Sequence, residues 1–223
     1  MSHVNEIIEW LRSQRNDNNV EGMSRFGINT STAFGVKMPV LRAKVKIYKK
    51  DMTLSLELWK TGFHEARMMA GFIADPKKIT EKEMDDWVKD FNSWDICDVV
   101  CFGVFCKTEF YDKKIFEYAG NDSEYIRRAA FAMIAGLALT DKKLPDEAYY
   151  RYFDLIEKYS FDERNFVRKA VNWALRQIGK RNKALCQMAL ECAHQIKQQP
   201  HKSARWIASD AIRELEQKLP KLK

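Results

Sequence analysis

Apolar residues recur at intervals of three and four along nearly the whole chain, and alternating runs of Val, Ile and Thr are almost absent. That period belongs to helices with one buried face, so the pattern predicts roughly a dozen α-helices and no sheet. Side-chain acceptors stand ahead of several periodic runs: Thr80 before Glu81 and Glu83, Ser93 before Trp94 and Asp95, Asp122 before Glu124, and Asp162 before Glu163. Each is expected to cap a helix N-terminus. Short polar links such as Pro76-Lys77-Lys78 and Gly120-Asn121 separate the helices.

The chain also repeats itself. Tyr125-Ile126-Arg127-Arg128-Ala129-Ala130, Phe166-Val167-Arg168-Lys169-Ala170-Val171 and Ser203-Ala204-Arg205-Trp206-Ile207-Ala208 align at Arg127, Arg168 and Arg205, offsets of 41 and 37. Glu65-Ala66-Arg67-Met68-Met69-Ala70 looks like an earlier copy. An apolar residue, a basic one and then small residues, recurring at this period, fit stacked helix pairs of the HEAT type. The expected fold class is therefore all-α, a curved solenoid of antiparallel helix pairs forming an α–α superhelix, with residues 1–223 as a single HEAT-like repeat domain. Small residues let neighbouring helices approach, and the inner face of such a curved stack becomes a groove. For Arg67, Arg127 and Arg168 the expected role is pairing with an acid of the neighbouring repeat.

Composition supports one folded domain: 223 residues, 46% hydrophobic and 31% charged, suffice for a continuous core. The net charge of +7 is unevenly spread, because residues 161–223 hold fourteen Lys/Arg against six Asp/Glu, and the rest holds 24 against 25. A segregated positive field suits a polyanion, although charge alone favours a solvated lysine-rich surface. The first ten residues lack a basic segment followed by an apolar stretch, and the longest nearly apolar run, Ala129 to Leu139, is too short to span a bilayer. A cytoplasmic monomer without a membrane partner is expected. Cys97, Cys101, Cys106, Cys186 and Cys192 lie in apolar helical stretches without a C-x-x-C pair, so buried, reduced thiols are expected. His3, His64, His194 and His201 lack ligand spacing, and no metal or cofactor is assigned.

Two constellations could carry chemistry. Trp94 and Asp98 stand four apart and share a helix face, while Ile96, Val99, Val100 and Val104 supply the core side. A carboxylate beside an indole either lies on an accessible surface or meets a basic partner. Spacing alone favours the simpler account, Trp94 as a core anchor and Asp98 as a surface acid, and a second Trp-x-x-x-Asp at Trp206 and Asp210 shows how weak the spacing is. Trp206 is expected to pack near the C-terminal cap. The second constellation is a stripe: Lys169, Trp173, Arg176 and Lys180 fall at steps of four, three and four. Ala170, Val171, Ala174, Leu175 and Ile178 already form an apolar face, so this stripe suits contact with phosphates and a sugar or base.

At these residues the chain resembles the AlkD-type HEAT-like-repeat DNA alkylation repair enzymes, glycosylases that release N3- and N7-alkylated purines. Ser93-Trp94-Asp95-x-x-Asp98 looks like the family's helix with an aromatic residue and the essential aspartate. Ile126-Arg127-Arg128-Ala129-Ala130 looks like the segment bearing a groove arginine at Arg128, and Phe166 to Arg176 like the segment with a second aromatic. Met23-Ser24-Arg25-Phe26, with Phe34-Gly35-Val36 and Met38-Pro39-x-x-Arg42, is similar to the family's N-terminal signature, except that Phe26 stands where characterised members place a tyrosine.

The resemblance implies a glycosylase acting on double-stranded DNA with alkylated purines, bound in a basic concave groove. It implies Asp98, Trp94 and Trp173 as catalytic residues, and Arg128, Lys169, Arg176, Lys180 and Phe26 as DNA contacts. A cationic alkylpurine is a good leaving group, so the enzyme's task is to stabilise positive charge developing on the deoxyribose. Two other classes remain: a non-catalytic HEAT-repeat protein that recognises unusual DNA structure, and a protein-binding scaffold. Asp98 favours catalysis over binding alone, and the Trp173 stripe favours DNA over protein.

Overall fold

In a computed structural model, residues 2–222 are described, and among them there are thirteen α-helices and no strand. The chain gathers into two compact units, Met1–Phe110 and Tyr111–Lys223. The first contains α1 (His3–Ser13), α2 (Asp17–Arg25), α3 (Met38–Lys44), α4 (Met52–Lys60), α5 (His64–Ile73), α6 (Glu81–Lys89) and α7 (Trp94–Gly103). The second contains α8 (Tyr111–Ala119), α9 (Glu124–Thr140), α10 (Glu147–Tyr159), α11 (Asn165–Gly179), α12 (Lys183–Lys197) and α13 (Lys202–Lys218). None of these helices is long and apolar enough to cross a membrane.

In the first unit α5 packs against α1, α3, α4 and α7. Its Ala66, Met69, Ala70 and Ile73 are fully buried, and Trp59 of α4 stacks on Trp87 of α6 with ring centres 4.2 Å apart. Glu65 is buried with no ion pair among the described residues, and its carboxylate accepts the backbone N–H groups of Phe34 at 2.9 Å, Gly35 at 2.6 Å and Val36 at 3.2 Å. Three amide donors replace the water that a buried charge loses. Gly35 has φ +78°, and a Cβ there would lie 2.3 Å from the Asn16 carbonyl oxygen, so only glycine suits this turn.

The second unit is built from the successive pairs α8–α9, α10–α11 and α12–α13, with α9 packed on α11 and α11 on α13. The aligned segments begin these three contacting helices, which is why the offsets of 41 and 37 appear in the sequence. Ala129 to Ala138 of α9 are all buried, and at the end of α11 a Cβ on Gly179 would meet Leu215 Cδ2 at 2.8 Å and Ala189 Cβ at 2.9 Å. Buried polar bonds tie one pair to the next. Arg127 Nη1 donates to Asp162 Oδ2 at 2.6 Å, and Ser203 Oγ donates to the Asp162 carbonyl at 2.7 Å.

Arg67 and Arg127 pair with acids as expected, Arg67 with Asp90 at 3.2 Å. Arg168 does not: its guanidinium lies over the Trp206 ring, 5.0 Å from the centre. Of the expected caps, Thr80 forms a reciprocal capping box with Glu83. Ser93 makes no cap bond, and the residues preceding α9 and α11 are Ser123 and Arg164. Asp162 instead accepts from the Arg164 backbone N–H at 3.1 Å and from Arg127, because a buried acid is better satisfied by guanidinium groups than by one amide.

Candidate functional site

In the first unit the site centres on the start of α7. Trp94 opens that helix, half-buried, and its indole N–H donates to the Phe26 carbonyl at 3.1 Å. Phe26 terminates α2 and is 74% exposed, an aromatic ring held in solvent beside the tryptophan. Asp98 lies one turn after Trp94 and is partly exposed. Phe26 and Trp94 are therefore brought together by the backbone, and helical spacing adds Asp98 to the Trp94 face.

What fixes the start of α7 is a cluster that pattern reading does not single out. Asp95, next to Trp94, is 9% exposed and accepts from Ser93 Oγ at 2.5 Å and the Ile96 N–H at 2.9 Å, and His64 Nε2 lies 2.9 Å from its other oxygen. Burial raises the Asp95 pKa, but the hydrogen bond and charge of His64, with Ser93 and Ile96, outweigh it and hold the carboxyl below its ordinary range. His64 and Asp95 also line a cavity of about 330 Å³ together with Phe26, Met23, Met38 and Met68. The helix α2, which supplies Met23 to it, buries none of its own residues. The sequence cues to this cluster are Ser93, read as a cap, and the adjacency of Asp95 to Trp94, whereas the partner His64 lies 31 residues away.

In the second unit Arg128 is 5% exposed, and its Nη1 donates to the Phe166 carbonyl at 2.8 Å, joining α9 to the first turn of α11. Lys169 is exposed, and Trp173 and Lys180 are half-buried. With the Gln177 amide turned to satisfy both neighbours, its oxygen accepts from Trp173 Nε1 at 3.1 Å and Lys180 Nζ at 2.9 Å. Acids of α13 face this stripe. Glu214 accepts from Arg176 and, at 2.9 Å, from Lys180 Nζ, while Asp210 lies 3.6 Å from Arg176 and accepts from Asn172 at 2.7 Å. Burial raises the Glu214 pKa, but the two cations outweigh it and lower it overall. The pairing joins residues 34 and 38 apart in sequence, which leaves no local signature.

A family model described as DNA alkylation repair enzyme matches residues 7–215. The chain belongs to this family. Among solved structures it is similar to one described as a new family of proteins related to the HEAT-like repeat DNA glycosylases with affinity for branched DNA structures. That match has a TM-score of 0.78 at 18% identity, over 96% of this chain and 95% of the other, and establishes a shared HEAT-like fold. No curated protein matches the chain. The sequence-identified residues lie on three helices, α7, α9 and α11, with Lys180 directly after α11 and Phe26 at the end of α2. Among the described residues no three His, Cys, Asp or Glu gather as a set of metal ligands.

Proposed function

We propose that this protein excises cationic, N3- or N7-alkylated purines from double-stranded DNA by hydrolysing the N-glycosidic bond. The observation that carries the reading is the placement of Asp98, a partly exposed residue, one turn beyond Trp94, whose indole is pinned to the Phe26 carbonyl. Alkylation at N3 or N7 makes the base its own leaving group, so no strong general acid is needed, and positive charge grows on the deoxyribose as the bond breaks. A fixed carboxylate stabilises that charge and orients the attacking water. The face of Trp94 attracts the cationic sugar or base, and Trp173, in the second unit, is assigned an aromatic contact of its own with DNA. Lys169, Arg176 and Lys180 are assigned to phosphates, which they position without reacting, while Arg128, buried and bonded to the Phe166 carbonyl, is assigned to holding the start of α11, the helix that carries Lys169.

A second reading is recognition of DNA structure without excision. It is favoured by Phe26, which has no hydroxyl to offer, and by the affinity for branched DNA described for the structurally similar family. One variant separates the two. Asp98→Asn keeps the shape of the side chain and removes its charge, so release of free alkylpurine from methylated DNA should fall by two orders of magnitude or more, about 3 kcal/mol of transition-state stabilisation. Binding to undamaged duplex should remain, and the melting temperature of the same variant separates a loss of chemistry from a loss of fold. A wild-type protein that binds DNA and releases no base would support the second reading instead.

A further inference from the structure

The basic stripe of α11 has two dissimilar ends. Toward its C-terminus Arg176 and Lys180 are matched by Glu214. Toward its N-terminus the acids give way to an aromatic ring. Arg168 lies over the indole of Trp206, 5.0 Å from the ring centre, and makes one long bond to Asn165 at 3.4 Å. Lys169, the next residue, is exposed and makes no ion pair among the described residues. Arg205 on the first turn of α13 is exposed and bonds the Pro200 carbonyl at 2.7 Å. Asp162, the acid just before α11, is already engaged by Arg127 and Arg164.

Trp206 does not belong to the core of its helix. Ala204, Ile207, Ala208 and Ala211 are fully buried, whereas Trp206 keeps 38% of its surface exposed. It shares a stripe, at steps of four, with Asp210 and Glu214, the residues that meet α11. In the repeat alignment it takes the register held by Arg128 in α9 and Lys169 in α11. An indole thus stands where the two earlier repeats carry cations, with the Arg168 guanidinium on its ring and Arg205 next to it in the chain, and neither arginine makes an ion pair among the described residues.

We propose that Trp206, backed by Arg168, is a stacking platform for an unpaired DNA base whose flanking phosphates are held by Lys169 and Arg205. The inference rests on the DNA-binding reading above and adds to it a preference for unpaired nucleotides. Phosphate contacts alone require only the cations, whereas an exposed indole gains from a base only when that base presents its flat face, which a base inside a continuous duplex does not. The guanidinium on the ring stiffens the platform and contributes its own attraction for the nucleotide.

The test compares two DNAs, a blunt duplex and the same duplex with a short single-stranded overhang. Wild-type protein should bind the overhang DNA about tenfold more tightly, the scale of one base–aromatic stack. Trp206→Ala should abolish that preference and leave affinity for the blunt duplex unchanged, while Trp206→Phe should keep most of it. The phenylalanine variant carries the comparison if the alanine variant melts early. Equal binding of both DNAs by wild type overturns the inference alone, as does a Trp206→Ala variant that keeps the preference or weakens on both DNAs equally. Wild-type protein that binds neither DNA overturns the DNA-binding reading as well.

Discussion

The carboxylate of Asp95 accepts from Ser93 Oγ and the Ile96 N–H and faces His64 Nε2, so one buried acid couples α5 to the start of α7 and orients the turn that carries Trp94. Its pKa is depressed in the fold, so its contribution to stability is complete above the ordinary carboxylate value of 3.8 and fades as pH falls through the depressed one. Asp95→Asn should lower stability by roughly 1.5–3 kcal/mol at neutral pH, the range for hydrogen bonds to a charged group. Thermal melts of the two proteins should converge in acid, below the depressed pKa. A constant gap across that range would mean that Asp95 acts through packing and not through charge. Trp94 and Asp98 were legible as a pair from their spacing, but the residue that fixes them was not, since its partner comes from another helix.

At the scale of elements, helical period and capping chemistry were readable where the partners are local, as the Thr80–Glu83 box illustrates. They failed where a tertiary partner took over the side chain, as at Asp162, claimed by Arg127 and Arg164. The stripe on α11 divides in the same way: its spacing was visible, while the acids of α13 that neutralise Arg176 and Lys180 were not. This has a measurable consequence for DNA binding. A cation already paired with Glu214 leaves its acid behind when it turns to a phosphate, whereas Lys169 displaces only counterions. Lys169→Ala should therefore lower the slope of log affinity against log salt by about one unit. Arg176→Ala should lower it by less. Equal slopes for both variants would show that the Glu214 pairing opens completely on binding.

Across the whole molecule, the all-helical fold and the family followed from period, repeat offset and a few motif residues, because each repeat must build the same kind of contact with the next. The division into two compact units had no counterpart in composition or linker pattern. The five cysteines report on both units: Cys97, Cys101 and Cys106 are buried in the first, Cys186 and Cys192 in the second. Burial pushes the Cys101 thiol well above its ordinary range, aided by Cys97, raises Cys186, and drives Cys192 up to about 12 with the help of Glu157 and Asp154. Because the thiolate is the reacting species, Cys101, Cys186 and Cys192 are protected twice, by exclusion of the reagent and by scarcity of the ion, and Cys97 and Cys106 by their burial. In native buffer at mildly alkaline pH, all five should resist a thiol reagent, and labelling should rise with denaturant in step with loss of helical circular dichroism. Peptide mapping of the modified thiols would follow each unit separately. Rapid modification of Cys186 or Cys192 before any loss of helix would place a local opening in α12, and the buried interface of the last helix pair would then have to be less stable than its packing implies.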